Sequence, residues 1–331
     1  VAVGGNTNMG ATSNNFSRLP EFALSAAILK IDLNAIGNTT YDLPTLDDET
    51  RATNNDANDP FGGNNGLNQA MIVPGGPVQV YSPGYRNAYD LLITSNGRMY
   101  TVDNGPNAGW GDIPIGEGPN GTATNAANEP GVTYGDGLHF ITGQGYYGGH
   151  PNPTRANQSN TFNATNPQSP VPVANPIEGD YRVPGPENDS LVVFPESTNG
   201  IAEYTAGFFG GALQGELLMA SFDNAIKRVK LSADGTQVIL SENLFSNVDF
   251  RPLDVTAPPA GPFAGTIWVC DVATGNITIF EPLAGTGGNP NDLDGDGYAN
   301  ADETANGTDP NSPADVPPDY DGDFTSNLTD S

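Results

Sequence analysis

Short apolar runs recur through most of the chain, each bounded by Gly, Asn, Asp or Pro, a pattern of strands rather than helices. It predicts strands in "AAILKIDL" (26–33), "PVQVYSPG" (77–84), "YDLLITSNGRMYTVDNG" (89–105) and "LHFITG" (138–143). Others follow in "LVVFPES" (191–197), "ELLMASFDNAIKRVKLSADGTQVILSENLF" (216–245) and "GTIWVCDVATGNITIFEP" (265–282). "SNGR", "SADGTQ" and "VATGNIT" carry the residues of tight hairpin turns. Two stretches repeat one scheme: "NAYDLLITSNGRMYTVDNG" and "RPLDVTAPPAGPFAGTIWVCDV". Each has a strand with x-Asp-Leu/Val, then a turn, then a strand that carries Tyr or Trp and ends in Asp. Such repetition predicts an all-β chain built as a β-propeller, with a β-sandwich as the competing architecture. Long polar loops, roughly 42–76, 104–137 and 144–188, would gather on the propeller's faces.

Composition narrows the picture. Gly (42) and Pro (29) exceed a fifth of the 331 residues, which favours turns over long helices. Only 11 Lys and Arg stand against 39 Asp and Glu, a formal charge of −28. Without a cationic face, neither nucleic acid nor an anionic membrane is an expected partner. No apolar run approaches the roughly 18 residues of a membrane span. Cys270 is the sole cysteine, so an intrachain disulfide is excluded, and "GTIWVCDV" predicts a buried, inert thiol. Sequons begin at Asn15, Asn38, Asn120, Asn157, Asn163, Asn188, Asn276, Asn306 and Asn327, so glycans are an expected modification at some of them.

The acids concentrate at the end. From Leu283 to Ser331 there are eleven, with no Lys or Arg. In "DLDGDGYANADE", Asp292, Asp294 and Asp296 fall at positions 1, 3 and 5 of a twelve-residue loop, with Gly297 at the sharp turn. Tyr298 offers a carbonyl at position 7, Asn300 stands at 9, and Glu303 at 12 is the bidentate ligand. This is the full spacing of a calcium loop, whose hard oxygens suit Ca2+; the alternative is a solvated acidic linker. Asp319, Asp321, Asp323, Asn327 and Asp330 repeat the spacing less well. Phe324 replaces the turn glycine, and Asp330 is shorter than glutamate. The segment resembles the calcium repeats of thrombospondin type 3 modules, which implies an extracellular or cell-surface location. The prolines of "PNSPADVPPD" would stiffen the link between the two loops.

A second resemblance lies at "YSPGYRNAYDLLITSNGRMYTVDNGPNAGWGD" (81–112), which is similar to the glucose/sorbosone dehydrogenase family. That likeness implies a six-bladed propeller and, for the soluble enzymes, pyrroloquinoline quinone and calcium. It assigns Arg86 and Asn87 to cofactor and substrate, with Ala88 where the family has proline. It assigns the carbonyls of Gly105 and Pro106 to a calcium site beside the quinone. "GQGYYGGHPNPTRAN" (143–157) resembles the next blade and "RPLDVT…GTIWVCDVATGNITIFEP" (251–282) a closing one. The family's histidine base would precede Val1. Lys227 and Lys230 read as solvent-facing and not as cofactor ligands. His150, in a glycine-rich loop, is a candidate base or metal ligand, or a turn stabiliser; His139 reads as a strand histidine satisfied by a neighbour.

The expected organisation is a propeller over 1–282, incomplete at about four blades, followed by a calcium-binding segment over 283–331. "VAVGGNTN" reads as a strand already running, so the ring would be completed by a missing upstream part of the same polypeptide or by neighbouring copies. Two functions are expected to compete. One is a non-catalytic structural module of a large secreted or surface protein, stabilised by calcium. The other is a quinone-dependent sugar dehydrogenase.

Overall fold

The computed structural model describes residues 1–8, 24–38, 75–107, 135–150, 190–248, 250–261, 263–282, 292, 296–312, 314–320 and 325–329, and the backbone of 114–115 and 122–123. In chain order the first elements are β1 (Ala2–Val3), β2 (Ala27–Ile31), α1 (Leu33–Ile36), β3 (Val78–Pro83), β4 (Ala88–Ile93) and β5 (Met99–Asp103). Next come β6 (Pro114–Ile115), β7 (Thr122–Ala123), β8 (Asp136–Ile141), β9 (Val192–Phe194) and β10 (Thr198–Tyr204). The last are β11 (Glu216–Ser221), β12 (Ala225–Leu231), β13 (Val238–Ser246), β14 (Pro252–Thr256), β15 (Ile267–Asp271), β16 (Ile277–Phe280) and α2 (Asn300–Asn306). The sheets run β1-β2-β3, β4-β5-β8-β9, β10-β11-β12-β13 and β14-β15-β16, with a small β6-β7 pair. Small antiparallel meanders of this kind are the material of propeller blades. The all-β expectation holds.

The chain divides into two compact units, Val1–Ile93 with Arg98–Asn199, and Thr94–Gly97 with Gly200–Ser331. In the first, Ile28, Tyr85, Ala88 and Ile141 form one core cluster, and Leu24, Ala27, Leu29 and Val78 another. In the second, Leu218, Ala220 and Ile226 pack with Val255, Ile267 and Val269 from the β14-β15-β16 sheet. Each such aliphatic side chain contributes about 1.5–3 kcal/mol by leaving water. β11 is buried at all six positions, so its "ELLMAS" has no polar face to alternate. β13, at the sheet's edge, is exposed along much of its length.

The sequence repeat has a structural counterpart. Asp103, at the end of β5, pairs with Ala88, and its carboxylate accepts the backbone N–H groups of Arg86 (3.0 Å) and Asn87 (2.7 Å). Asp271, at the end of β15, pairs with Pro252 and accepts the N–H of Arg251. Register shifts follow in both partner strands, between Ala88 and Leu91 and between Pro252 and Asp254. In each sheet an aspartate therefore staples the entry of one strand to the exit of the next, satisfying amides that no ladder reaches.

Several expectations need correction. The 26–33 strand stops at Ile31, because Asp32 Oδ1 accepts the N–H of Asn34 and Ala35 and caps α1. β10 was not foreseen, since its Asn199-Gly200 reads as a turn. Gly200 is required instead because Asp254 lies where a Cβ would sit. Lys227 is buried, its Nζ 2.6 Å from Asp223 and 3.0 Å from Asn243, and only Lys230 faces solvent. Cys270 is half-buried on β15 rather than sealed in the core. Residues 2–3 do form a strand, as expected: β1 lies at the edge of the β1-β2-β3 sheet and pairs Ala2 with Ile28 and Val3 with Ala27.

Candidate functional site

In an antiparallel sheet the start of one strand lies beside the end of the next. The entry to β4, the exit of β5, the entry to β8 and the exit of β9 therefore meet at one edge of the β4-β5-β8-β9 sheet. A cavity of about 480 Å³ opens there. Its lining comes from all four: Arg86 and Asn87 before β4, Asn104, Gly105, Pro106 and Asn107 after β5, Gly135 and Asp136 at β8, and Pro195, Glu196 and Ser197 after β9. Of the residues chosen from the sequence, Arg86, Asn87, Gly105 and Pro106 are brought together here. His150 is not among the lining residues.

A buried hydrogen-bond chain sets the shape of this edge. Asp136 accepts the N–H of Gly105 (2.9 Å) and of Thr198 (2.7 Å), and the side-chain amide of Asn104. That amide also donates to the Thr198 carbonyl at 3.0 Å, while its oxygen accepts from Asn87 Nδ2 at 2.6 Å. The orientation of Asn104 is thereby fixed, and with it the amide of Asn87. Arg86 Nε donates to Asn8 Oδ1 (3.1 Å), and Asn8 also exchanges hydrogen bonds with the Asn107 backbone. Gly135 has no room for a side chain, because a Cβ would lie 1.9 Å from the Phe194 carbonyl.

Burial governs the charges. It raises the Asp103 carboxyl to about 6, against the opposing pull of the Asn87 N–H, the nearby His150 and the Arg86 N–H. It raises Asp136 to about 7, against hydrogen bonds from Thr198, Gly105 and Asn104 and with added repulsion from Asp103. These carboxyls are structural acceptors with their oxygens already engaged. The side chains lining the cavity with polar groups to offer a ligand are Arg86, Asn87, Glu196 and Ser197, while the Asn104 amide is spent on Asp136, Thr198 and Asn87. Polar groups, the hydroxyl of Ser197 among them, thus dominate the lining.

The two histidines lie in the interior. His150 is 1% exposed; its Nε2 is 3.1 Å from Thr7 Oγ1, its N–H donates to the Gly84 carbonyl, and its carbonyl accepts from Tyr147 Oη. Its loop position is thus fixed by backbone bonding. His139 meets Tyr146 Oη at 2.9 Å and packs edge-on to Tyr85, and burial lowers its pKa to about 4.

Of the first acidic loop, Asp292 and residues 296–303 are described. Asp294, Asp321, Asp323 and Asp330 lie outside the described residues, as do Asn15, Asn120, Asn157, Asn163, Asn188 and most of the long loops. Gly297 has φ +102°, a conformation that a residue with a Cβ would resist. Its N–H donates to Asp292 (3.3 Å), and that of Tyr298 donates to Asp296 (2.9 Å). Asp292 and Glu303 are buried at 4% and 0% exposure, and Glu303 lies in the first turn of α2, which begins at Asn300. No group of three metal-binding side chains is assembled among the described residues.

The two loops also touch. Tyr298 Oη donates to Asp319 (3.0 Å), and burial together with the Asp319 contact pushes its pKa up to about 12. Asp302 accepts the Ser326 N–H (2.8 Å), the Ser326 hydroxyl (2.6 Å) and the Thr329 hydroxyl (2.6 Å). Burial alone would raise Asp302, but those hydrogen bonds outweigh it and hold the carboxyl below its usual range. Asp103 and Asn104 belong to the Asp-Asn-Gly-Pro turn that carries the family resemblance, but no sequence signal singles out Asn8, Asp136, Glu196 or Asp302. In so acidic and Asn-rich a chain, no spacing distinguishes a buried aspartate from an exposed one.

No protein-family model and no curated protein matches this sequence. Among solved structures the chain is similar to a glucose dehydrogenase at 18% identity and a TM-score of 0.36, covering 61% of this chain and 46% of that one. It is similar to a second glucose dehydrogenase at 18% and 0.34, covering 57% and 42%. It is similar also to the apo-form of the soluble aldose sugar dehydrogenase of Escherichia coli at 16% and 0.34, covering 57% and 43%. The chain spans less than half the length of each of these proteins. Likeness at this level supplies no residue-by-residue correspondence.

Proposed function

We propose that the cavity at the β4–β9 edge binds a sugar, in the manner of the quinone-dependent sugar dehydrogenases that the Arg86-Asn87 and Asp103–Pro106 motifs resemble. One observation carries this reading. Arg86, Asn87, Gly105 and Pro106, chosen from the two ends of the 81–112 stretch, line a single polar cavity of about 480 Å³. Oriented amides, a guanidinium and a carboxylate are the donors and acceptors that neighbouring hydroxyls require. A pyrroloquinoline quinone held there would supply the two-electron oxidant. The donor set suits it in kind: Arg86 for one carboxylate, and the carbonyls of Gly105 and Pro106 for a calcium ion. The chain's own work is orientation, through Asp136 and Asn104 onto Asn87.

A non-catalytic form of the same reading has one observation in its favour. No histidine is among the described lining residues, and His150 is buried against Thr7. The deciding experiment supplies purified protein with quinone, calcium and an aldose, and follows reduction of an artificial electron acceptor. Turnover that disappears in Arg86→Ala identifies a dehydrogenase. Saturable sugar binding without turnover identifies a binding module. Neither binding nor turnover would overturn both.

We also propose calcium in the loop Asp292–Glu303, with a weaker site in the loop that starts at Asp319, and an extracellular or cell-surface setting where free calcium is high. The inward turn at Gly297 and the buried Glu303 support it. No helix among the described residues is long and apolar enough to cross a membrane.

A further inference from the structure

We infer that Asn8 is a positioning residue of the cavity: carried on a strap formed by residues 4–8, it fixes the guanidinium that the cavity presents to its ligand. The inference rests on the sugar reading above and adds to it a residue outside the lining. Asn8 is fully buried, so each polar atom of its amide needs a partner. Its Oδ1 accepts from Arg86 Nε (3.1 Å) and from the Asn107 N–H (2.9 Å), and its Nδ2 donates to the Asn107 carbonyl (2.9 Å). One amide therefore ties a residue before β4 to a residue after β5, and both of these line the cavity. A guanidinium is a rigid planar fork, so holding Nε sets the direction in which its terminal NH2 groups point.

The strap is fastened along its length. The Gly4 carbonyl accepts the Ala26 N–H (3.1 Å), and the Gly5 N–H donates to the Arg86 carbonyl (2.6 Å). Thr7, also fully buried, has its Oγ1 3.1 Å from His150 Nε2. His150 is itself held by its backbone, through the Gly84 carbonyl at 2.9 Å and Tyr147 Oη at 2.6 Å. The buried histidine thus gains a task that needs no access to the cavity. It anchors Thr7, and Thr7 sets the place of its neighbour Asn8. The strap also passes close to Asn87, since a Cβ on Gly4 would lie 3.6 Å from Asn87 Oδ1. An amide is the side chain that this arrangement asks for. Alanine would deprive Arg86 Nε and the Asn107 N–H of this acceptor, whereas aspartate would keep the acceptor and lose only the donor.

The test reads Arg86 directly and then its ligand. In NMR spectra of the full chain, the Arg86 Nε–H resonance, identified by its loss in Arg86→Ala, is expected to exchange slowly with water. Asn8→Ala should speed that exchange about tenfold or more, while Asn8→Asp, which keeps the acceptor, should leave it slow. Calorimetry with glucose supplies the second readout. Asn8→Ala should weaken binding about tenfold, and in an Arg86→Ala background it should weaken it no further, because its effect passes through the guanidinium. Fast exchange in wild type, or equal exchange in wild type and Asn8→Ala, would overturn the inference. So would a loss of affinity that is the same with and without Arg86, as a purely structural residue would give. If Asn8→Ala does not fold, Asn8→Asp decides, and fast exchange in that variant sinks the inference. Failure of glucose to bind wild type would count against the sugar reading alone, since the Arg86 exchange decides by itself whether Asn8 holds the guanidinium.

Discussion

His139 is held by Tyr146 and Tyr85 in a site that leaves its ring neutral down to about pH 4. A histidine with a depressed folded pKa contributes stability that is present above its unfolded value near 6.5 and is lost as pH falls toward the folded one. His139→Gln keeps a polar contact for Tyr146 and removes the titration. Relative to wild type the variant should therefore gain as pH falls from 6.5 to 4, by up to about 3 kcal/mol in denaturant unfolding. A difference between the two proteins that does not change with pH would contradict the buried neutral ring. Asp136 behaves in the opposite sense, with a folded pKa raised to about 7, so its contribution is fullest at low pH and fades as pH rises through 7. Replacing Asp136 with alanine strands the donors of Asn104, Gly105 and Thr198. The cost should be about 2–4 kcal/mol. Sugar affinity should fall with it, because Asn87 loses its orientation. At this scale the sequence was only partly informative. Arg86, Asn87, Gly105 and Pro106 could be found because they sit in a recognisable motif. Asp136 could not, because its importance lies in burial and in donors from residues 104, 105 and 198, which are distant in sequence.

Hairpins made the elements legible. β4 with β5, β12 with β13, and β15 with β16 follow their turn residues closely, since local backbone chemistry decides them. β10 escaped notice because its sequence carries turn residues, and it is a strand only through its neighbours. α2 escaped because seven residues hold no helical period, and its start is set by the loop before it. That loop yields a prediction of its own. Gly297 adopts a φ of +102°, open to glycine and costly for others, so Gly297→Val should cost the loop at least tenfold in calcium affinity. Glu303→Gln should weaken binding more, as it removes a charged bidentate ligand. Calorimetric affinities matching wild type in both variants would show that the calcium is bound elsewhere than in this loop.

For the molecule as a whole, charge is the dominant feature. At a formal charge of −28, with eleven acids in the last 49 residues and no cation among them, compactness competes with self-repulsion. In chelator, raising salt from about 0.01 to 0.15 M shortens the Debye length from about 30 to 8 Å and should raise the melting temperature. In calcium the same change should matter less, since the bound ions have already neutralised the tail. Equal salt dependence in both conditions would mean that the tail takes up no calcium. At the edge of the β4-β5-β8-β9 sheet, the proposed occupant is a sugar. The most direct test is a crystal structure of the protein soaked in an aldose at a concentration that saturates binding in calorimetry. The sugar is expected between Arg86, Asn87 and Glu196, within hydrogen-bond distance of at least two of them. A saturated crystal with the sugar bound elsewhere, and only water at Arg86, would contradict the account.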